Sequence, residues 1–132
     1  MPDALAPHVT DVIELTRALV RCESVTPREA GALDLLERTL TPLGFRCERM
    51  DFTQAGTDDV ANLYARIGHG GRHFCFAGHS DVVPVGDLSS WTIGPFSAEL
   101  SDGYLFGRGA ADMKGAIAAF TEAAARFLAR RG

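Results

Sequence analysis

His79 and Asp81 stand one residue apart in FAGHSDVVPVGD, residues 76–87, and a second acid, Asp112, sits inside GRGAADMKG, residues 107–115. A neutral imidazole is a good ligand for zinc and similar divalent ions, and a carboxylate that accepts its other ring N–H fixes the tautomer and makes the ligating nitrogen more basic. Residues at i and i+2 of an extended segment point to one side, so His79 and Asp81 can reach a common site without unusual backbone. The order strand, G-x-G, helix around GRGAADMKG fits a dinucleotide loop, but the position where that fingerprint wants a third glycine or alanine holds Asp112, which would meet pyrophosphate with like charge. Each residue also has a structural alternative. His79 and Asp81 could be a buried histidine beside a turn-forming aspartate, and Asp112 a helix N-cap. In combination, with Gly107, Gly109 and Gly115 permitting close backbone approach, they outline half of a metal site. It is half because zinc takes about four ligands, and catalytic zinc about three from protein.

The elements that must position these groups can be read from periodicity. Val9, Val12, Ile13, Thr16, Leu19 and Val20 recur at helical spacing over residues 9–20, leaving Asp11, Glu14 and Arg17 to face water. Thr26, Pro27 and Glu29 form T-P-x-E, which predicts a capped helix start, with Leu33, Leu36, Leu40 and Leu43 as its buried stripe, Pro42 tightening its last turn and Gly44 ending it. Strands are expected at 45–52, 61–67 and 73–79. The last two are joined by GHGG, predicted antiparallel, and the third is expected inside the sheet, with His79 at its C-terminal end, where open α/β sheets hold ligands. An irregular stretch, 82–95, precedes a small hairpin, 96–100 with 104–106, about Asp102-Gly103. Met113, Ile117, Phe120, Ala124, Phe127 and Leu128 then predict a final helix, closed by favourable charge at Arg130 and Arg131. Helices interleaved with strands give an α/β class.

A chain of 132 residues with 46% hydrophobic and 23% charged residues suits one globular domain, and it has no apolar run near the length of a membrane span. The net charge of −4 with scattered arginines offers no basic stripe for nucleic acid. Asp3, Asp11 and Glu14 interrupt the first twenty residues, which argues against a secretory signal and for a cytoplasmic location. Cys22, Cys47 and Cys75 are odd in number and lack C-x-x-C spacing, so buried thiols are expected in place of disulfides or a thiolate zinc site. Glu122, the only acid after Asp112, reads as a solvated helix charge and no general base.

From Leu15 onward, RCESVTP, NLYARIG, FAGHSDVVPVGD, the W-x-x-x-P-F segment at Trp91 to Phe96, and DGYLFGRGAADMKG occur in an order that resembles the M20 metallopeptidases, and within them the bacterial succinyl-diaminopimelate desuccinylases. The resemblance implies the N-terminal part of a zinc-exopeptidase-like catalytic domain, a mixed sheet flanked by helices. It implies an amidohydrolase with two zinc ions, or cobalt in their place, acting on a small N-acyl amino acid and releasing succinate from N-succinyl-diaminopimelate on the route to lysine and diaminopimelate. His79 would ligate one metal, Asp81 would orient and polarise that histidine as a catalytic residue, and Asp112 would bridge two ions about 3.5–4 Å apart. A cis peptide from Asp112 to Met113 is implied too. The family's Glu-Glu pair with its general base, its later ligands and its dimerisation domain have no counterpart in residues 1–132, so the chain is expected to be an N-terminal portion of the catalytic domain, inactive alone, of a protein that is a homodimer at full length. Alternatives are an acetylornithine deacetylase-like or other N-acyl-amino-acid hydrolase, a nucleotide-binding module using GRGAAD, or a non-catalytic remnant with an exposed apolar edge.

Overall fold

The structure, a computed structural model, describes residues 11–131. Its elements are α1 (Val12–Arg21), α2 (Ala32–Leu40) running into a 3-10 turn (Thr41–Leu43), β1 (Arg46–Phe52), β2 (Val60–Arg66), a 3-10 turn (Leu88–Ser90), β3 (Glu99–Ser101), β4 (Tyr104–Phe106) and α3 (Gly115–Arg131). The class is α/β, with two antiparallel pairs, β1 with β2 and β3 with β4, and one parallel bridge, Val25 to Val82.

α1 begins where the sequence supplies acceptors for its free N–H groups. The Asp11 carboxylate accepts from the N–H groups of Ile13 (2.8 Å) and Glu14 (3.2 Å), and a carboxylate oxygen of Glu122, from α3, accepts from Val12 at 3.0 Å. Glu122 is therefore no solvated charge. It is buried against the start of α1, with its other oxygen paired to Arg126, because an unsatisfied helix end needs an acceptor more than the exposed face of α3 needs a charge. The expected start of α1 at residue 9 lies outside the described residues. Its inward face is Leu15, Thr16, Leu19 and Val20, while Ile13 turns outward. Burying a side chain of leucine size contributes about 2 kcal/mol.

The T-P-x-E motif does not start α2. The Thr26 N–H is held by the Val82 carbonyl at 2.9 Å, so the chain must turn at Val25–Arg28 before a helix can form, and Gly31, at φ 85°, precedes the first helical residue. Glu29 still caps, by accepting from the Leu33 N–H at 3.0 Å. Leu33, Leu36 and Leu40 form the buried stripe and Gly44, at φ 93°, ends the turn, as the periodicity predicts. With Leu15, Leu19, Ala32, Ile117 and Ala118, residues Leu33 and Leu36 make the core, on which Ala61, Leu63 and Phe76 pack.

β1 and β2 pair from Arg46 opposite Arg66 to Phe52 opposite Val60. Residues 73–79 form no strand and do not lie inside a sheet: Phe74 is 86% exposed and Phe76 is held by stacking on Phe120, with ring centroids 4.6 Å apart. Alternation supplies a strand's side-chain pattern, but a strand also needs a neighbour for its backbone, and among the described residues none flanks this segment. The β3–β4 hairpin forms about the expected turn, Asp102 (φ 51°) and Gly103 (φ 81°), but its first strand spans Glu99–Ser101 and not 96–100. In α3 the buried residues are Ile117, Ala118, Thr121, Glu122 and Ala125, so the packed face is rotated from the expected stripe and Phe127 is exposed.

Replacing Glu122 with Ala should cost about 1–3 kcal/mol in urea unfolding, because the Val12 N–H loses its acceptor inside the fold. A change of only a few tenths would show that water replaces the cap.

Candidate metal centre

Two backbone devices bring the segment holding His79 and Asp81 to the turn holding Asp112. The first is the chain leaving α1: Val82 donates to the Ser24 carbonyl and Thr26 to the Val82 carbonyl, each at 2.9 Å, and the fully buried Ser24 hydroxyl donates to the Ser80 carbonyl at 2.7 Å. Residues 80–82 are thereby fixed at the C-terminal end of α1. The second is GRGAADMKG. A Cβ on Gly107 would collide with Val20 and one on Gly109 with Val82, and Gly109 has φ 79°, so both positions require glycine for the loop to lie flat against residues 20 and 82. The close approach made possible by these glycines is to the protein's own core. Residues Ala110–Lys114 then make one wide turn, in which Asp112 leaves the helical region (φ −121°, ψ 89°), and the Asp112–Met113 peptide is cis.

Asp112 is thus not an N-cap. Its side chain is 84% exposed, and one carboxylate oxygen lies 3.2 Å from His79 Nε2. On the other side of the ring, Nδ1 lies 3.0 Å from the Asp81 carbonyl oxygen and 3.3 Å from its carboxylate. A carbonyl oxygen only accepts, so Nδ1 carries a proton and donates to it. That leaves the lone pair of a neutral imidazole, at Nε2, 3.2 Å from a carboxylate oxygen. Lone pair against anion is repulsive unless a cation lies between them, either a proton or a metal ion. Two ligand atoms on one tetrahedral ion, each about 2.1 Å from it, are separated by about 3.4 Å, so a spacing of 3.2 Å suits an ion with little rearrangement.

The proton's share of this preference appears in the His79 pKa, which is raised above 6.5. The Asp81 carbonyl is the main cause, the charges of Asp112 and Asp81 add to it, and desolvation opposes it. His79, Asp81 and Asp112, the residues singled out in the sequence, therefore meet, although Asp81 engages the ring more closely through its backbone carbonyl than through its side chain. Among the described residues no group of three or more His, Cys, Asp and Glu side chains surrounds one point, because His79 stands between the two acids. Lys114 was absent from the sequence-derived set. Its side chain is fully buried and its amino group donates to the Cys22 carbonyl at 2.8 Å, at the end of α1. Burial pushes its pKa down, opposed by Cys22 and by the negative charge of Asp81.

Residues 75–132 match the sequence model of Peptidase family M20/M25/M40. Over that segment the chain is similar to the M20 peptidases. It is 58% identical over 122 residues to the succinyl-diaminopimelate desuccinylase of Parvibaculum lavamentivorans, covering 92% of this chain and 31% of that protein. The protein of the same name from Rhodospirillum centenum is 57% identical over 122 residues, covering 92% and 32%. The chain therefore spans about a third of the length of the curated relatives it matches. Among solved structures it is similar to human carnosine dipeptidase 1, at 28% identity and a TM-score of 0.78 over 91% of this chain and 28% of that one. The M20 match includes all three residues of the site, and among the described residues no helix is long and apolar enough to cross a membrane.

With no metal added, the His79 imidazolium contributes stability that is fully present below the ordinary histidine range and is lost as pH rises through the raised value. Asp112→Asn should lower the His79 pKa measured by NMR titration. Asp81→Asn should lower it less, since the carbonyl contact survives. The reverse order would show that the Nε2 contact does not hold in solution.

Proposed function

We propose that this chain is the N-terminal portion of the catalytic domain of a metal-dependent amidohydrolase that removes succinate from N-succinyl-diaminopimelate. The observation that carries the metal reading is the 3.2 Å separation of His79 Nε2 from an Asp112 carboxylate oxygen, a spacing that suits a shared cation. Support for the substrate comes from relatives named succinyl-diaminopimelate desuccinylase at 55–58% identity. The reading carries with it a cytoplasmic enzyme and a dimeric full-length protein.

In this mechanism His79 would supply Nε2 as a ligand, held in the correct tautomer by donation from Nδ1 to the Asp81 carbonyl. Asp81 places its carboxylate beside that ring, where it raises the basicity of the ligating nitrogen. Asp112 is exposed enough that its carboxylate would be available to the ions. When bound, zinc or cobalt would polarise the amide carbonyl and lower the pKa of the attacking water. One imidazole and one bridging carboxylate do not complete two coordination spheres, so the full site needs further ligands and a general base beyond the three residues described. An N-acetylornithine-type hydrolase is the alternative substrate reading.

Two experiments test this. Zinc or cobalt titration should show affinity that falls as pH drops through the His79 pKa, and His79→Ala should abolish binding at that site. A chimaera in which this chain replaces the matching third of the Parvibaculum desuccinylase should release succinate from N-succinyl-diaminopimelate, and His79→Ala in the chimaera should lower turnover at least 1,000-fold, about 4 kcal/mol of barrier. A folded, metal-loaded chimaera that releases acetate from N-acetylornithine but no succinate would move the assignment to the alternative. One inert toward both substrates would end the hydrolase reading.

A further inference from the structure

The chain has twelve arginines and one lysine, Lys114, and that lysine is the largest fully buried side chain among the described residues. Arginine keeps its charge under almost all conditions and spreads five donors over a planar fork, whereas lysine puts one compact amino group at the end of an aliphatic stem. A buried amino group costs free energy unless it is hydrogen-bonded, so the position of this one lysine reflects a specific requirement.

Lys114 lies two residues after Asp112, on the same wide turn. Its stem runs beneath Gly109, where an added Cβ would come within 3.5 Å of Lys114 Cδ. Its amino group donates to the carbonyl of Cys22, the residue whose N–H closes α1 on Leu19 and which leads two residues later to Ser24. Ser24 in turn holds Ser80, between His79 and Asp81. The side chain thus spans from the turn bearing Asp112 to the strand-like segment that fixes the other two residues, and the Asp81 charge acts on it.

We infer that Lys114 is a positioning residue, a strut that sets how far Asp112 stands from His79 and so tunes the site's affinity for a divalent cation without touching the cation or the substrate. The affinity half of this inference rests on the metal reading, and the distance half stands without it.

Lys114→Met keeps the stem and removes the donor. Two readouts are taken on the folded variant: zinc affinity by calorimetry, and the ring 15N resonances of His79 with no metal added, which report what each nitrogen contacts. The inference expects zinc binding weakened about tenfold or more and a displaced Nε2 resonance, with partial recovery of both in Lys114→Arg. Zinc affinity within twofold of the parent protein together with unmoved resonances overturns it. If the parent chain binds no zinc, the metal reading fails, and the Nε2 resonance alone decides the strut: displaced upholds it, unmoved overturns it. Should Lys114→Met not fold, the parent protein supplies the readout. Selective 13C labelling at lysine Cε gives a single resonance, which should shift in Asp112→Asn, and an unshifted signal overturns the inference.

Discussion

The short parallel contact between residues 24–26 and 80–82 is the constraint from which the rest of the architecture follows. Three backbone and side-chain hydrogen bonds there, from Val82, Thr26 and Ser24, join the chain leaving α1 to the segment that carries His79 and Asp81. The same contact occupies the Thr26 N–H and delays α2, and it presents Val82 as the surface on which Gly109 must lie. A small ladder thus fixes both the imidazole and, through the glycine loop packed on it, the opposing carboxylate. Few hydrogen bonds suffice because each is backed by buried side chains, Ser24, Val82 and Lys114 among them.

What the sequence made legible was what depends on local chemistry. Asp102-Gly103 can form little other than a tight hairpin turn, and the leucines of α2 have one face to bury, whereas Asp11, read as a solvated position within α1, is its N-cap. His79, Asp81 and Asp112 were recognisable because three polar groups flanked by glycines and apolar residues are costly to place without a purpose. What was not legible depends on partners distant in the chain. Thr26 is a good N-cap by type, yet its N–H is claimed by Val82. Glu122 looks solvated by its helical neighbours, yet it meets a helix terminus from the other end of the chain. Residues 73–79 alternate like a strand, but alternation contains no information on whether a second backbone lies alongside.

The glycines show how a correct observation can carry an incomplete reason. Their spacing suggests a loop that lets something approach closely, and something does: the side chains of Val20 and Val82. Packing is what turns Asp112 outward, so chemistry at the site follows from steric economy behind it. The exposure of the three groups follows as well: His79 and Asp81 are about half exposed and Asp112 mostly so, which leaves their outer side open.

The capping of α1 by Glu122 carries a consequence for the order in which the molecule is built. The acceptor and the N–H it satisfies are 110 residues apart, so during synthesis the first helix waits, at about 5–20 residues per second, roughly 5–20 s for its last partner to leave the ribosome. Until then its N-terminal turn has only Asp11 to hold it, and the face that later buries Leu19 and Val20 has neither α3 nor the glycine loop to cover it. α1 is thus completed only once Glu122 has emerged, and over that interval its apolar face is open to holding factors.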